Sequence, residues 1–478
     1  MRVFPVLRFR CAARSKKRLV MDPSMRERFL TLVLIVSVVL AAASVDAQLQ
    51  TPSTFEFSFS NPGARSLGLG GAFAALADDA TTAFANPAGL VQLVSLEVSA
   101  ELRHWSYSTP YIEGGRYEGE PTGIGLDTVD GLRTAVSKEQ LTGLSFLSFV
   151  YPKGRWSVAV YRHQLANFRS ETATQGLFGT SNPVTWSPRS YDRRWSTELD
   201  IVSYGAAGAY RVSDRFSFGL GIVHFRGRLD APFEWALWDK DTLEGIFGPN
   251  SYLPERQLVN GEMAVDDSDW GLSVGLLWSF AERWSLGAFY RQGPEFRLVF
   301  DVTGGPLAPE FLDPEFTPGA TILTIATPIQ FPDVYGLGLA FKSRDGKLSV
   351  GFEWDRVEYS TILDSFDPVV IETLDPDLDL EVALTADDGN ELRLGAEYAF
   401  LDLKPVLAVR AGVWLDPDHR FRSIHPDEPE HRALFQPGED EVHVAVGLGL
   451  AFKSFQIDLA ADFSDLVDTA SLSVIYSF

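Results

Sequence analysis

Three histidines, His419, His425 and His431, share one stretch with Asp416, Asp418 and Asp427. Imidazoles beside carboxylates are the groups that hold zinc or activate a nucleophile. Their setting fits neither use, because no HExxH helix and no nucleophile motif accompanies them. Histidines among Pro and Glu read instead as solvated loop residues. A second acidic run, Asp375-Pro-Asp377-Leu-Asp379-Leu-Glu381, offers oxygen ligands that suit a divalent cation, but its spacing matches no defined calcium loop. Gly68-x-Gly70 begins like a dinucleotide loop, yet Phe73 stands where the third glycine belongs and no strand precedes it. Enzymatic chemistry, a resident metal and a cofactor are therefore not expected.

The most informative stretch is 61–90, NPGARSLGLGGAFAALADDATTAFANPAGL. It is built almost wholly of small residues, with one acidic pair, Asp78 and Asp79, and a closing Asn86-Pro87-Ala88. Gly68, Gly70 and Gly71 permit close backbone approach. Pro87 fixes a turn that the Asn86 side chain can start. A flexible linker or a small soluble helix would also satisfy this composition. A compact segment folded inside something larger is the alternative, and it requires a container.

What precedes the stretch indicates export. Basic residues from Arg14 to Arg18 and at Arg26 and Arg28 lead an apolar run, Phe29 to Ala43, and Val45-Asp46-Ala47 supplies a small residue for cleavage. Residues 1–47 are thus expected to be a signal peptide, with Met21 or Met25 as alternative starts. The only cysteine, Cys11, falls in that segment, so no disulfide or thiol chemistry is expected of the remainder. Residues 1–47 hold nine of the 41 Lys/Arg and three of the 64 Asp/Glu, which leaves 32 basic against 61 acidic residues, a net charge of −29. Such a charge argues against a nucleic-acid partner.

From Val94 onward the container appears. In VSLEVSAELRHW, Val94, Leu96, Val98, Ala100 and Leu102 take one face, and Ser95, Glu97, Ser99, Glu101 and Arg103 take the other. Phe216, Phe218, Leu220 and Ile222 repeat the pattern, as do segments near 270–280, 284–292, 348–359, 391–400, 406–415 and 441–452. Period-2 alternation marks half-buried strands without saying what buries them. Three features favour lipid. Short charged turns close on aromatics at Tyr210–Phe218, Trp278–Leu286 and Phe341–Val350; longer Pro- and Asp-rich excursions fall near 164–196, 228–268, 302–331, 360–390 and 416–440; and the chain ends on SLSVIYSF with Phe478 last. Short turns at one end, long loops at the other and interfacial aromatics describe an outer-membrane β-barrel.

With the barrel in place, Gly63-Ala64-Arg65, Gly70-Gly71-Ala72, Ala77-Asp78-Asp79-Ala80 and Asn86-Pro87-Ala88 resemble the N-terminal hatch of the FadL/TodX (OMPP1) family. These are outer-membrane transporters of long-chain fatty acids and aromatic hydrocarbons. Residues 331–360, ELRLGAEYAF and VRAGVWLDPDHR resemble its later strands. The resemblance implies an all-β transmembrane antiparallel barrel of about 14 strands, residues 93–478, plugged within its lumen by a hatch at 48–92. It implies passive uptake of hydrophobic compounds with a lateral exit by way of a kinked strand, and gating by Gly68, Gly70, Gly71, Asp78, Asp79, Asn86, Pro87 and Ala88. Phe225 and Phe289, with Phe296, Phe300 and Phe352, are candidate pocket aromatics. A carboxylate ligand would want a cation at the pocket mouth, where Arg226, Arg228, Arg291 and Arg297 are candidates. Expected partners are hydrophobic small molecules, outer-membrane lipid and lipopolysaccharide, and the barrel-assembly machinery, with the protein a monomer. Related 14-stranded proteins serve secretion pathways, so a partner-binding or shuttle barrel without small-molecule transport is the alternative.

Overall fold

In a computed structural model, the structure describes residues 59–182, 187–249, 252–311, 317–365, 369–373, 384–424, 427 and 429–478. The expected signal peptide, the acidic run at 375–381 and His425 lie outside the described residues, and so does the side chain of His431. Fourteen antiparallel strands close into a barrel. They are β1 (Glu97–Arg116), β2 (Leu132–Lys153), β3 (Trp156–Thr174), β4 (Asp192–Ser213), β5 (Phe216–Ala236), β6 (Gln257–Ala281), β7 (Trp284–Arg291), β8 (Val334–Lys342), β9 (Leu348–Val357), β10 (Gly389–Phe400), β11 (Val406–Asp416), β12 (Glu441–Ala451), β13 (Phe455–Phe463) and β14 (Val467–Ser477). Each pairs with the next, and Glu97↔Ser477 through Tyr107↔Val467 join the first strand to the last. Closure pairs every wall strand on both sides within the apolar band, as hydrocarbon demands. Two further strands, Glu295–Gly304 and Thr321–Gln330, continue the wall outward beyond β7 and β8.

The alternation resolves into lipid outside and a polar or small-residue lumen inside. On β5, Phe218, Leu220 and Ile222 are exposed, whereas Ser217, Val223 and Phe225 are buried. On β1, Leu102 is exposed while Ser99, Glu101 and Arg103 are buried. Apolar side chains facing outward all around a wall are stable in lipid, not water. Aromatic pairs mark the short-turn rim: Trp284–Phe341 at 5.0 Å, Phe452–Phe455 at 4.2 Å and Tyr476–Phe478 at 4.7 Å between ring centroids. His224–Trp270 at 4.8 Å and Tyr290–Tyr335 at 5.0 Å mark the opposite edge of the apolar band.

Two of the expected long loops are shorter than the sequence implies. β3 runs to Thr174 and β4 starts at Asp192, so the 164–196 excursion is largely strand; β5 reaches Ala236 and β6 begins at Gln257, which shortens 228–268 in the same way. Past the apolar band the outward positions become Arg226, Arg228 and Asp230, so the amphipathic signature ends. The backbone ladder does not need it and continues, as Arg228↔Asp266 and Phe233↔Gly261 show.

The chain from Phe59 to Leu93 lies inside the barrel. It forms two short helices, Ala64–Gly68 and Thr82–Ala85, and a 3-10 turn at Pro87–Gln92. Gly70 and Gly71 reverse it with φ of 61° and 81°, a region that side-chain-bearing residues avoid. Almost all of it is buried.

Candidate functional site: plugged lumen and broken wall

The segment inside the barrel is seated against glycines. Gly219, Gly275, Gly287, Gly338, Gly351, Gly395, Gly412 and Gly447 lie on β5 through β12, one to a strand, and a Cβ on any of them would run into the plug. Most such collisions would be with backbone: Pro87 and Ala88 at Gly219, Ala74 at Gly287, Leu69 at Gly395 and Gly70 at Gly412. Gly219↔Gly275, Gly287↔Gly338 and the run Gly351↔Gly395↔Gly412 pair directly in the sheet. Missing side chains on these strands bring the plug's peptide groups within contact of the wall.

Lumen charges then pin the plug in register. The fully buried Glu353 accepts from the amides of Phe73 at 2.7 Å and Ala74 at 2.6 Å, and from the Asn61 side chain at 3.3 Å. Glu101 accepts from the Gly63 amide at 2.9 Å. Arg65 reaches Glu397 at 2.9 Å and Asp78 at 2.5 Å, and Lys342 on β8 holds the other Asp78 oxygen at 2.6 Å. Burial would raise the Asp78 carboxyl, but Arg65 and Lys342 override it and hold this group well below its ordinary value. Asp79 accepts from the Thr81 amide at 2.9 Å and hydroxyl at 2.5 Å. Asn86 accepts from the Ala88 amide at 3.2 Å and donates to Ala74 and Leu276 carbonyls at 2.8 and 3.1 Å, so it ties its own turn to the plug and to β6.

The wall is interrupted in two places. β3 carries an extra residue between Gln164 and Ala166 where it pairs with β4. Below this bulge Phe146–Lys153 pair with His163–Trp156; among the described residues no backbone ladder joins β2 to β3 above it. Yet β2 stays paired with β1 up to Leu132, and β3 with β4 up to Thr174. The second interruption separates β6 from β7 and its outward continuation. Pairing stops at Ser273↔Arg291 and resumes at Ala264↔Val299. In between, the amides of Glu295 and Arg297 donate to the carboxylates of Asp269 and Asp267, each at 2.9 Å. Both breaks begin at the outer edge of the apolar band.

A cavity backs each break. The first, about 60 Å³, reaches from the bulge at Gln164, Leu165 and Ala166 past Trp105 and Tyr107 to the plug at Leu67, Gly70 and Gly71. The second, about 20 Å³, is almost wholly apolar and is lined by Leu229, Val265, Phe296, Phe331 and Ile362. Ala166 of the first pairs with Ile201 of the second, so they adjoin across one strand. Toward the outside the inner face carries stacked rings, Trp195–Phe233 at 4.8 Å, Phe233–Phe300 at 5.5 Å and Tyr191–Trp235 at 5.8 Å.

The structure separates the residues singled out in the sequence. Phe225 and Phe289 are buried on the inner face, and Phe296 lines the apolar cavity. Arg291 also points inward, but it is engaged by the plug: it donates to the Asn61 side chain at 3.0 Å and lies 4.6 Å from the Phe84 ring centroid. Arg226 and Arg297 are exposed on the outer side of the wall, as is Phe352; Arg228 is exposed as well but borders the apolar cavity. His419 stacks on Tyr359 at 4.3 Å and lies 3.7 Å from Asp416. Among the described residues no set of three His, Cys, Asp or Glu side chains is placed to hold a metal ion. Sequence reasoning passed over Glu353, Arg393, Glu397 and Arg410. Their signal was available: each is a charged residue at a lumen-facing position between outward apolar ones.

Fold and site together define an antiparallel transmembrane barrel whose lumen holds its own N-terminal segment. The family model for outer membrane protein transport proteins (OMPP1/FadL/TodX) matches residues 53–471, and the chain belongs to that family. Among solved structures it is similar to a FadL homologue of Pseudomonas aeruginosa, with a TM-score of 0.60 and 16% identity over 89% of this chain and 100% of the other. The toluene transporter TodX of P. putida gives a TM-score of 0.56 and 17% identity over 88% and 99%. The toluene transporter TbuX of Ralstonia pickettii gives 0.55 and 16% over 88% and 99%. No curated protein sequence matches the chain.

Proposed function

We propose that this protein sits in the outer membrane and passively admits hydrophobic compounds, long-chain fatty acids or aromatic hydrocarbons, releasing them sideways through the break between β2 and β3. In this reading residues 1–47 direct export and are removed, 48–92 form the plug, and 93–478 form a monomeric barrel inserted by the assembly machinery. The observation that carries the reading is the missing β2–β3 ladder with a cavity directly behind it, in a lumen whose short-turn end is filled by the plug. An apolar solute gains roughly 25 cal/mol for each Å² it removes from water, so it prefers aromatic walls and then lipid to an aqueous exit. The stacked rings near the outer end suit capture of such solutes, and two relatives are toluene transporters by description. No energy source is required, because consumption downstream drives net flow.

Deleting Leu165 tests the route. It removes the extra residue of the bulge and allows β3 to run straight beside β2. Uptake of a labelled hydrophobic compound is expected to fall to background while the barrel still folds, as heat-modifiable gel migration reports. Undiminished uptake by the folded deletion variant would exclude this exit.

A further inference from the structure

The cavity on the plug is polar on one side, and its polarity selects a head group. Trp414 of β11, His443 of β12 and Asp462 of β13 form a compact group in its wall. The Asp462 Oδ2 accepts from Trp414 Nε1 at 3.2 Å and faces His443 Nδ1 at 3.0 Å. The same carboxylate is 97% buried (3% exposed), and its Oδ1 has no hydrogen-bond partner. A buried acceptor left unpaired costs free energy, so it calls for a donor from whatever fills the cavity.

The basic groups of this cavity are committed elsewhere. Arg393 donates to Asp355 at 3.2 Å, to Glu391 and to the Gly70 carbonyl at 3.4 Å. Arg103 donates to Glu101 at 2.9 Å, to Ser60 at 3.1 Å and to the Asn61 carbonyl at 3.3 Å. His443 already faces Asp462, with Glu441 3.9 Å from its other nitrogen. A carboxylate head would meet Asp462, Glu441 and Asp416 with these cations spoken for, whereas a neutral donor finds a ready acceptor.

From this geometry we infer that the cavity takes amphiphiles with an uncharged hydrogen-bond-donating head, a hydroxyl above all, and that Asp462 is the residue that selects it. The inference rests on the uptake of hydrophobic compounds proposed above and, within that class, favours hydroxyl-bearing amphiphiles over fatty acids. The apolar tail lies toward Leu165, Trp105 and Tyr107, and the head lies against Asp462.

Equilibrium binding of labelled 1-dodecanol, dodecanoate and dodecane to the detergent-solubilised full chain at pH 7.5 tests it, in the wild type and in Asp462→Asn. In the variant the Trp414 indole N–H holds the amide oxygen, which turns the amide NH₂ to where Oδ1 stood and replaces the acceptor by a donor. The wild type is expected to bind dodecanol about tenfold more tightly than dodecanoate, the weight of one hydrogen bond to a charged acceptor. Asp462→Asn is expected to reverse that order with dodecane unchanged. A wild type that prefers dodecanoate, or a folded variant that keeps the wild-type ratio, overturns the inference while leaving uptake standing. Binding of none of the three compounds would overturn the inference and leave the uptake reading only its aromatic hydrocarbons.

Discussion

Replacing Glu353 by Ala should unseat the plug, and the size of the effect follows from the two backbone donors that it would strand. One oxygen of this carboxylate accepts both the Phe73 and the Ala74 amides, and the other accepts the Asn61 side chain. Phe73 and Ala74 are both fully buried, so truncation strands two backbone donors where no water reaches them. At about 1–3 kcal/mol for each stranded donor, the seated plug loses about 2–6 kcal/mol. Each 1.4 kcal/mol is a factor of ten, so the unseated population rises at least about 30-fold. Glu353→Gln is the informative partner. Its carbonyl can still serve both amides, and only the contact with Asn61 is lost, because Arg291 and the Gly71 carbonyl hold the Asn61 amide in its present orientation, so this variant should lose much less than Glu353→Ala. Single-channel conductance in planar bilayers reads the open population, and heat-modifiable migration confirms that the barrel is intact. Glu353→Ala conducting no more than wild type, or Glu353→Gln conducting as freely as Glu353→Ala, would refute the account of how the plug is held.

Other outcomes follow from the same geometry. Gly395→Leu places a side chain where the Leu69 carbonyl sits and should raise conductance, whereas Gly143→Ala, whose Cβ meets nothing within 4 Å, should not. The depressed Asp78 carboxyl stabilises the seated plug above its ordinary value of 3.8, and this contribution fades as pH falls below that value. Acidification below about pH 4 should therefore loosen the plug more in the wild type than in Asp78→Asn, which has already lost the charge, by the loss of seating in urea titrations followed by conductance. Phe296→Ala should weaken binding of an apolar ligand by roughly 1.5–3 kcal/mol, about 10- to 150-fold, while Arg226→Ala and Arg297→Ala on the outer wall should leave it unchanged in the same binding assay.

The barrel was legible in the sequence because lipid imposes a rule on every second residue, and β1 and β5 obey it as written. The plug was legible in its small residues and in Asn86-Pro87. Its partners were not, since Glu353 and Glu397 reach it from strands about 300 residues further on, and spacing along a chain carries no such distance. The eight wall glycines were visible singly, but their alignment at the plug depends on strand register, which is set by the turns and the shear of the closed sheet. Arginines near strand ends illustrate the same gap. Arg226 and Arg291 looked alike in sequence, yet parity places the first on the outer wall and the second against Phe84 and Asn61. The bulge at Leu165 leaves no mark, because a single extra residue looks the same as ordinary strand until its partners are known.

Whole-cell uptake shows whether this chain admits hydrophobic compounds. A diderm host lacking its own hydrophobic-compound channels, with and without this chain, is given labelled oleate or labelled toluene after its proton gradient has been collapsed. Faster accumulation of at least one compound is expected in cells carrying the chain, undiminished by the loss of energy. Equal accumulation of both compounds with and without a folded, membrane-inserted chain would contradict it.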